Sequence, residues 1–330
     1  MVHSVKSVTD LVGHTPLVEL QRFTDVAGGT VATLLAKLEM FNPGGSSKDR
    51  VALQMICEAE AQGLLRPNST IIEPTSGNMG ISLACIASAR GYNCILTMPD
   101  TVNPERRLLL QRLGAQVLLT PAVQGMRGAI NKVIELRTTL PHTWYPQQFY
   151  NQSNPRAHSE HTAVEIWEQA GEEVDIVVIG VGTGGTLTGI AEGLRARKSG
   201  LVVVAVEPAS CAILSGGRPG PHRIEGLGSG FIPDTLRVDL IDYVIAVTDR
   251  DAVETAIQLM KAEGLSIGIS SGAVAWAALQ EARKEQNRGK VIVTVFPSAA
   301  ERYLQTILFD DLRSSNARSN SSGVGRAQYP

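Results

Sequence analysis

Apolar residues in this chain fall into two rhythms. Short unbroken apolar runs predict strands at 15–20, 31–39, 70–74, 94–98, 116–120, 175–180, 201–206, 243–247 and 290–296. Between them apolar residues return every three or four positions, which predicts helices at 48–61, 78–89, 104–113, 125–136, 156–169, 185–198, 251–264 and 272–284. The first two strands are separated by a turn at Gly28-Gly29. Strands that are apolar throughout and alternate with helices over short loops form a parallel sheet covered on both faces. The expected fold class is therefore α/β.

The alternation pauses at 140–155, a stretch rich in Pro, Gln, Asn and aromatic residues, and then restarts. With 330 residues to bury, more than one average core supports, that pause marks a boundary between two lobes. Residues 215–231 carry six Gly and two Pro, too much chain for a plain connection, and predict a functional loop. Residues 313–330 are rich in Ser, Asn and Gly and predict a disordered tail.

Composition narrows the function classes. Thirty basic against thirty-two acidic residues leave a formal charge of -2, which offers no surface for nucleic acid or an anionic membrane. No apolar run reaches the roughly 18 residues needed to span a bilayer, and residues 1–11 carry no targeting pattern. Cys57, Cys85, Cys94 and Cys211 are scattered without a C-x-x-C pair, the usage of a reducing compartment, so the cytoplasm is expected.

Candidate chemistry begins at Asn42-Pro43-Gly44-Gly45-Ser46-Ser47-Lys48-Asp49-Arg50. Pro-Gly-Gly makes a turn, the serines suit an N-cap, and Lys48 then opens a helix. The positive end of the helix dipole disfavours an ammonium there, which makes Lys48 a candidate Schiff-base amine. The competing reading is an ordinary lysine paired with Asp49 or Glu60. A second glycine stretch, Gly180-Val181-Gly182-Thr183-Gly184-Gly185-Thr186, joins an apolar strand to a helix and suits a phosphate. Gly180, Gly182 and Gly185 also satisfy G-x-G-x-x-G, with Glu207 about twenty residues on, so a nicotinamide-dependent oxidoreductase competes. A third loop, Thr75-Ser76-Gly77-Asn78-Met79-Gly80, offers hydroxyls, an amide and a helix start to an amino-acid carboxylate. Ser270-Ser271-Gly272-Ala273 reads as a fourth strand-end turn and helix start. His158, His161 and Glu165 share one helical face and read as a solvated face rather than a zinc site.

Together these motifs, with Gln148-Phe149-Tyr150-Asn151-Gln152-Ser153-Asn154-Pro155, Gly268-Ile269-Ser270-Ser271-Gly272-Ala273 and Pro297-Ser298-Ala299-Ala300-Glu301-Arg302-Tyr303-Leu304, resemble the cysteine synthase family of pyridoxal-phosphate enzymes. The likeness runs over residues 8–312. It implies two doubly wound α/β lobes with pyridoxal 5'-phosphate in the cleft between them, the fold type II arrangement. The lobes would be 45–150, and 8–44 with 151–312, the first strands crossing over to the second lobe.

The resemblance also implies roles. Lys48 would be the Schiff-base lysine, Asn78 the partner of the ring 3-oxygen, Gly182, Thr183, Gly184, Gly185 and Thr186 the phosphate cradle, and Ser271 the partner of the pyridine nitrogen. Thr75, Ser76, Gly77, Met79 and Gln148 would line the substrate carboxylate. The implied reaction replaces the acetate of O-acetylserine by sulfide to give cysteine, in a homodimer, with the C-terminal tail of serine acetyltransferase as a partner. Two positions depart from the family pattern. Met79 stands where sulfide-using enzymes have threonine, as in β-cyanoalanine synthases, whereas Thr183 keeps the sulfide-type residue. Ala300 stands where a glycine usually precedes Glu301.

Overall fold

The computed structural model describes residues 4–313; the tail expected over 313–330 lies, Arg313 apart, outside them. In chain order the elements are β1 (Leu17–Glu19), α1 (Gln21–Val26), β2 (Thr33–Leu38), α2 (Lys48–Ala61), β3 (Thr70–Pro74), α3 (Asn78–Arg90), β4 (Asn93–Pro99), α4 (Pro104–Arg112), β5 (Gln116–Thr120), α5 (Gly125–Thr139) and β6 (Thr143–Trp144). There follow α6 (Ser153–Ala157), α7 (Ala163–Gln169), β7 (Ile176–Gly180), α8 (Gly185–Arg195), β8 (Val202–Pro208), β9 (Tyr243–Val247), α9 (Asp249–Glu263), α10 (Ile269–Ala282) and β10 (Val291–Phe296).

Two sheets organise these elements. One has four strands in the order β5-β4-β3-β6, all parallel; the other has six in the order β1-β2-β10-β7-β8-β9. Only β1 runs antiparallel, against β2, and β2 pairs in parallel with β10. The earliest strands thus lie in the same sheet as the latest one. The chain then builds the four-stranded sheet and returns.

Burial explains the apolar runs. In β7, Ile176 and Val178 face a core with Leu34, Val206, Phe296 and Ala273, while Val177 and Ile179 face another with Leu187, Ile190, Val203 and Val293. A strand covered on both faces has no position where a polar residue is favoured. The four-stranded sheet packs its own core of Val51, Met55, Ile56, Ile71, Leu83, Leu96 and Met98. Each such side chain contributes roughly 1.5–3 kcal/mol by leaving water.

Several elements differ from expectation. The first two strands are separated by α1 as well as by the glycine turn, because Phe23 is 1% exposed and its N–H donates to Glu263 Oε1 at 2.7 Å. Six residues do not hold a helix alone, so this one depends on tertiary contact. The pause at 140–155 contains β6, which pairs with β3. The helix expected over 156–169 starts at Ser153 and carries a π turn at His158–Thr162 between α6 and α7. Finally, Ser270 and Ser271 are no turn at a strand end. They lie in the first turn of α10, whose N-cap is Gly268. No helix among the described residues is long and apolar enough to cross a membrane.

Candidate active site

Lys48 is the first residue of α2. The turn before it is fastened to the end of β10: Ser47 N donates to Pro297 O at 2.9 Å, and Ser46 forms a β-bridge with Ser298. Ser47 takes the N-cap position but makes no side-chain cap; the Lys48 N–H is held by Ser46 Oγ at 3.3 Å instead. Neither acid considered as a partner for Lys48 serves it. Asp49 accepts from Gly44 N at 2.6 Å and Ser82 Oγ at 2.5 Å, and Glu60 accepts from Arg90 and Tyr92. Burial lowers the Lys48 pKa below the usual lysine range, with Glu39 opposing it in part. An amine held this way is easier to deprotonate.

Two residues further on, Arg50 roots the same helix in the other half of the molecule. Its guanidinium meets Glu39 at 2.7 Å and 2.9 Å and Glu165 at 2.6 Å and 2.7 Å, and Lys37 meets Glu165 at 2.6 Å. The side chains of Arg50, Glu39 and Lys37 are 3% or less exposed. Burial pushes the Glu165 carboxyl up, but the hydrogen bonds and charges of Arg50 and Lys37 overcome it and bring it down to about 2.

Three of the stretches singled out in sequence are tied to one pair, Ser298 and Tyr303, joined oxygen to oxygen at 2.8 Å. Ser46 bridges to Ser298, Asn78 Nδ2 donates to Tyr303 OH at 3.3 Å, and Gly268, the cap of α10, donates its N–H to Ser298 O at 3.1 Å. Through these contacts the Lys48 turn, Asn78 at the start of α3 and Ser271 in the first turn of α10 converge. Ser271 is fully buried, and its Oγ has no hydrogen-bond partner. An orphaned buried hydroxyl is costly unless a ligand satisfies it.

The glycine stretch forms the start of α8. Gly184 caps the helix at φ 85°, a left-handed conformation that favours glycine, and makes no side-chain cap. First-turn N–H groups without an intrahelical acceptor point at whatever lies beyond them, which suits an anion. Thr183 Oγ1 accepts from Asn154 Nδ2 at 3.0 Å, and Thr186 Oγ1 meets His158 Nε2 at 3.1 Å. Residues 215–231 lie over this stretch: Gly228 N donates to Val181 O at 2.9 Å and Ser229 Oγ to Gly182 O at 3.2 Å.

In the third loop, Thr75 is buried while Ser76, Gly77 and Asn78 keep partial exposure. Arg106 Nη1 donates to Ser76 O at 2.6 Å, and Arg302 Nη1 donates to Asn78 Oδ1 at 2.6 Å. Met79 differs from the expected pocket-lining side chain. It is 1% exposed and packs in the core with Val51, Ala52 and Leu83, so only its backbone faces the loop. Gln148 is 7% exposed; its N–H approaches Glu73 Oε1 at 3.4 Å and its carbonyl accepts from Asn154 Nδ2 at 2.8 Å. Burial raises the Glu73 carboxyl to about 8, against the N–H groups of Gln147 and Gln148 that lower it.

Two readings are corrected. His158 and Glu165 are not a solvated face: His158 is fully buried between Thr162 and Thr186, and Glu165 belongs to the Arg50 network; only His161 is exposed. The π turn between them shifts the helical phase that the sequence pattern assumed. Glu207 is no ribose ligand. Its buried carboxylate accepts from Leu214 N at 2.8 Å, Ser215 N at 3.0 Å and Ser215 Oγ at 2.6 Å, which pins the loop after β8. The roles of Asn154, Arg302 and Tyr303 were not assigned from sequence, although each lies in a motif quoted above. No local pattern marks a side chain that acts by bridging distant segments.

The family model of the pyridoxal-phosphate dependent enzymes matches residues 8–298. A cysteine synthase of Staphylococcus aureus is 47% identical over 311 residues, covering 93% of this chain and 98% of that protein. Among solved structures, a cysteine synthase of Entamoeba histolytica superposes with a TM-score of 0.90 at 41% identity, over 93% of this chain and 91% of its own. An O-acetylserine dependent cystathionine beta-synthase of Helicobacter pylori superposes with a TM-score of 0.86 at 37% identity, over 93% of this chain and 100% of its own. The match displaces the nicotinamide reading. This chain belongs to the pyridoxal-phosphate dependent enzymes.

Proposed function

We propose that this enzyme is a cysteine synthase, which replaces the acetate of O-acetyl-L-serine by sulfide to give L-cysteine and acetate. The observation that carries the reading is the buried, partnerless Ser271 hydroxyl. A neutral hydroxyl at the pyridine nitrogen, unlike a carboxylate, does not hold the ring protonated, which favours loss of a β-substituent over transamination. The likeness to the staphylococcal cysteine synthase over nearly the whole chain supports the same activity.

Each residue then has a task. Lys48 would hold the cofactor at its aldehyde carbon, and its Nζ would take the substrate's α-proton and later return it. Its lowered pKa suits both. Asn78 would donate to the ring 3-oxygen, while Gly182, Thr183, Gly184, Gly185 and Thr186 would receive the phosphate at the start of α8. Thr75, Ser76, Gly77, the backbone of Met79 and Gln148 bind the α-carboxylate. When bound, pyridoxal 5'-phosphate supplies the electron sink that stabilises negative charge at the α-carbon.

The lobes in this reading are 45–150, and 8–44 with 151–312. A homodimer belongs to this reading on the family resemblance. Free Cys57, Cys85, Cys94 and Cys211 support a cytoplasmic, reducing setting. The site that takes the substrate carboxylate would also take the C-terminal carboxylate of serine acetyltransferase. Cyanide is the alternative acceptor that the family resemblance implies for Met79; with that side chain in the core, sulfide remains the main acceptor of this reading.

Purified enzyme given O-acetylserine and sulfide should release cysteine and acetate in equal amounts. A protein that binds the cofactor yet turns over only cyanide, or neither acceptor, would contradict this reading.

A further inference from the structure

We propose that Asn154 is a positioning residue that turns the Thr183 hydroxyl towards the cofactor's phosphate and ties the phosphate cradle to the Gln148 end of the substrate site. The proposal rests on the cofactor reading above. Asn154, on α6, is fully buried, and its Nδ2 donates to Gln148 O at 2.8 Å and Thr183 Oγ1 at 3.0 Å. A carbonyl oxygen only accepts, so the contact with Gln148 fixes which end of the amide faces it. Both amide hydrogens are then engaged.

The consequence falls on Thr183. Its oxygen receives the Asn154 donor, and the Gly185 N–H points at it from 3.5 Å. A hydroxyl has one proton to give. With both neighbours donating to it, that proton is directed forward to a third group, and Thr183 opens the loop where the phosphate sits. A second tie runs in parallel, since Thr235 Oγ1 donates to Thr183 O at 2.6 Å and Thr235 N donates to Phe149 O at 3.3 Å. The Gln148-Phe149 pair and Thr183 are therefore bolted together through both Asn154 and Thr235.

Gly185 belongs to the same device. Asn154 Oδ1 is buried without a partner and lies so close to Gly185 that a Cβ there would overlap it. Only glycine at the first position of α8 lets the amide reach Thr183.

Asn154→Asp keeps the shape and reverses the polarity, because a carboxylate only accepts and draws the Thr183 proton back from the cradle. The experiment titrates cofactor-free enzyme with pyridoxal phosphate and, separately, with pyridoxal, which lacks the phosphate, and reads the dissociation constants. Asn154→Asp should weaken pyridoxal phosphate by about ten- to a hundredfold, the range for a hydrogen bond to a charged acceptor, and pyridoxal by less than about threefold. Thr183→Val should show a loss of similar size, and the double variant no more than either alone. Thr183→Ser, which keeps the hydroxyl, should bind as wild type does and covers the case in which Asn154→Asp fails to fold. Equal losses for both ligands, additive losses, or a Thr183→Val that binds like wild type would overturn the proposal alone. Wild-type enzyme that fails to bind pyridoxal phosphate would overturn the functional reading and this proposal with it.

Discussion

Arg302 Nη1 donates to Asn78 Oδ1 at 2.6 Å from a position 224 residues further along the chain. Because Arg302 occupies the amide's oxygen and Tyr303 OH takes one amide hydrogen, Asn78 keeps its second amide hydrogen for the ring oxygen that the proposed function assigns to it. Arg302 also donates to Gly44 O in the turn before Lys48, so one guanidinium sets both the amide and the turn. Arg302→Ala should weaken cofactor binding by about tenfold through loss of this charge-assisted bond. Arg302→Lys, which cannot reach both acceptors as a fork, should recover only part of it. Titration of cofactor-free enzyme measures both.

The Arg50 network makes a prediction about stability and pH. Glu165→Gln leaves buried cations short of a counter-charge and should cost roughly 3–5 kcal/mol. The folded carboxyl titrates at about 2, depressed from the ordinary glutamate value near ~4.3. Its contribution is therefore complete above the unfolded value and is lost as pH falls through that window towards 2. Denaturant midpoints measured from pH 7 down to 2.5 should fall less steeply in Glu165→Gln than in wild type.

Glu73 behaves in the opposite sense. Its carboxyl is raised to about 8, so the folded protein holds a proton that the unfolded chain has released above ~4.3. That contribution is present below the unfolded value and lost as pH rises through 8. Ionisation also strengthens the acceptor under the Gln147 and Gln148 N–H groups, and Gln148 lines the substrate carboxylate in the proposed function. The KM for O-acetylserine should change near pH 8 in wild type, and Glu73→Gln should flatten that profile.

The core position of Met79 revises how the acceptor is chosen. Its side chain packs with Val51 and Leu83 and leaves no face for a nucleophile. Met79→Thr puts a hydroxyl into that core and should cost about 1–3 kcal/mol of stability. The ratio of sulfide to cyanide turnover should move less than about tenfold, below what a pocket-lining change of this size can give. Thermal unfolding and paired assays of the same variant test both halves.

Most of the architecture was legible because strand and helix periods here are local. The strands at 116–120 and 243–247 begin and end where the apolar runs do. The Pro-Gly-Gly turn likewise placed Lys48 at a helix start, and the glycine stretch placed Gly184 at another. What stayed hidden depends on distant partners. Whether Ser271 has a hydrogen-bond partner, whether Met79 faces a pocket or a core, and which way the Asn78 amide is turned are decided by segments far away in sequence. The pairing of His158 and Glu165 failed for a different reason: one π turn broke the period on which it rested.

The account stands or falls on Lys48. Reduction of the purified enzyme with borohydride, followed by digestion and mass spectrometry, fixes the cofactor wherever it is joined to the chain. The expected result is one pyridoxyl phosphate adduct per chain, on the peptide containing Lys48, and none in Lys48→Ala. An adduct on another lysine, or no adduct from protein that carries the cofactor's visible absorbance, would contradict it.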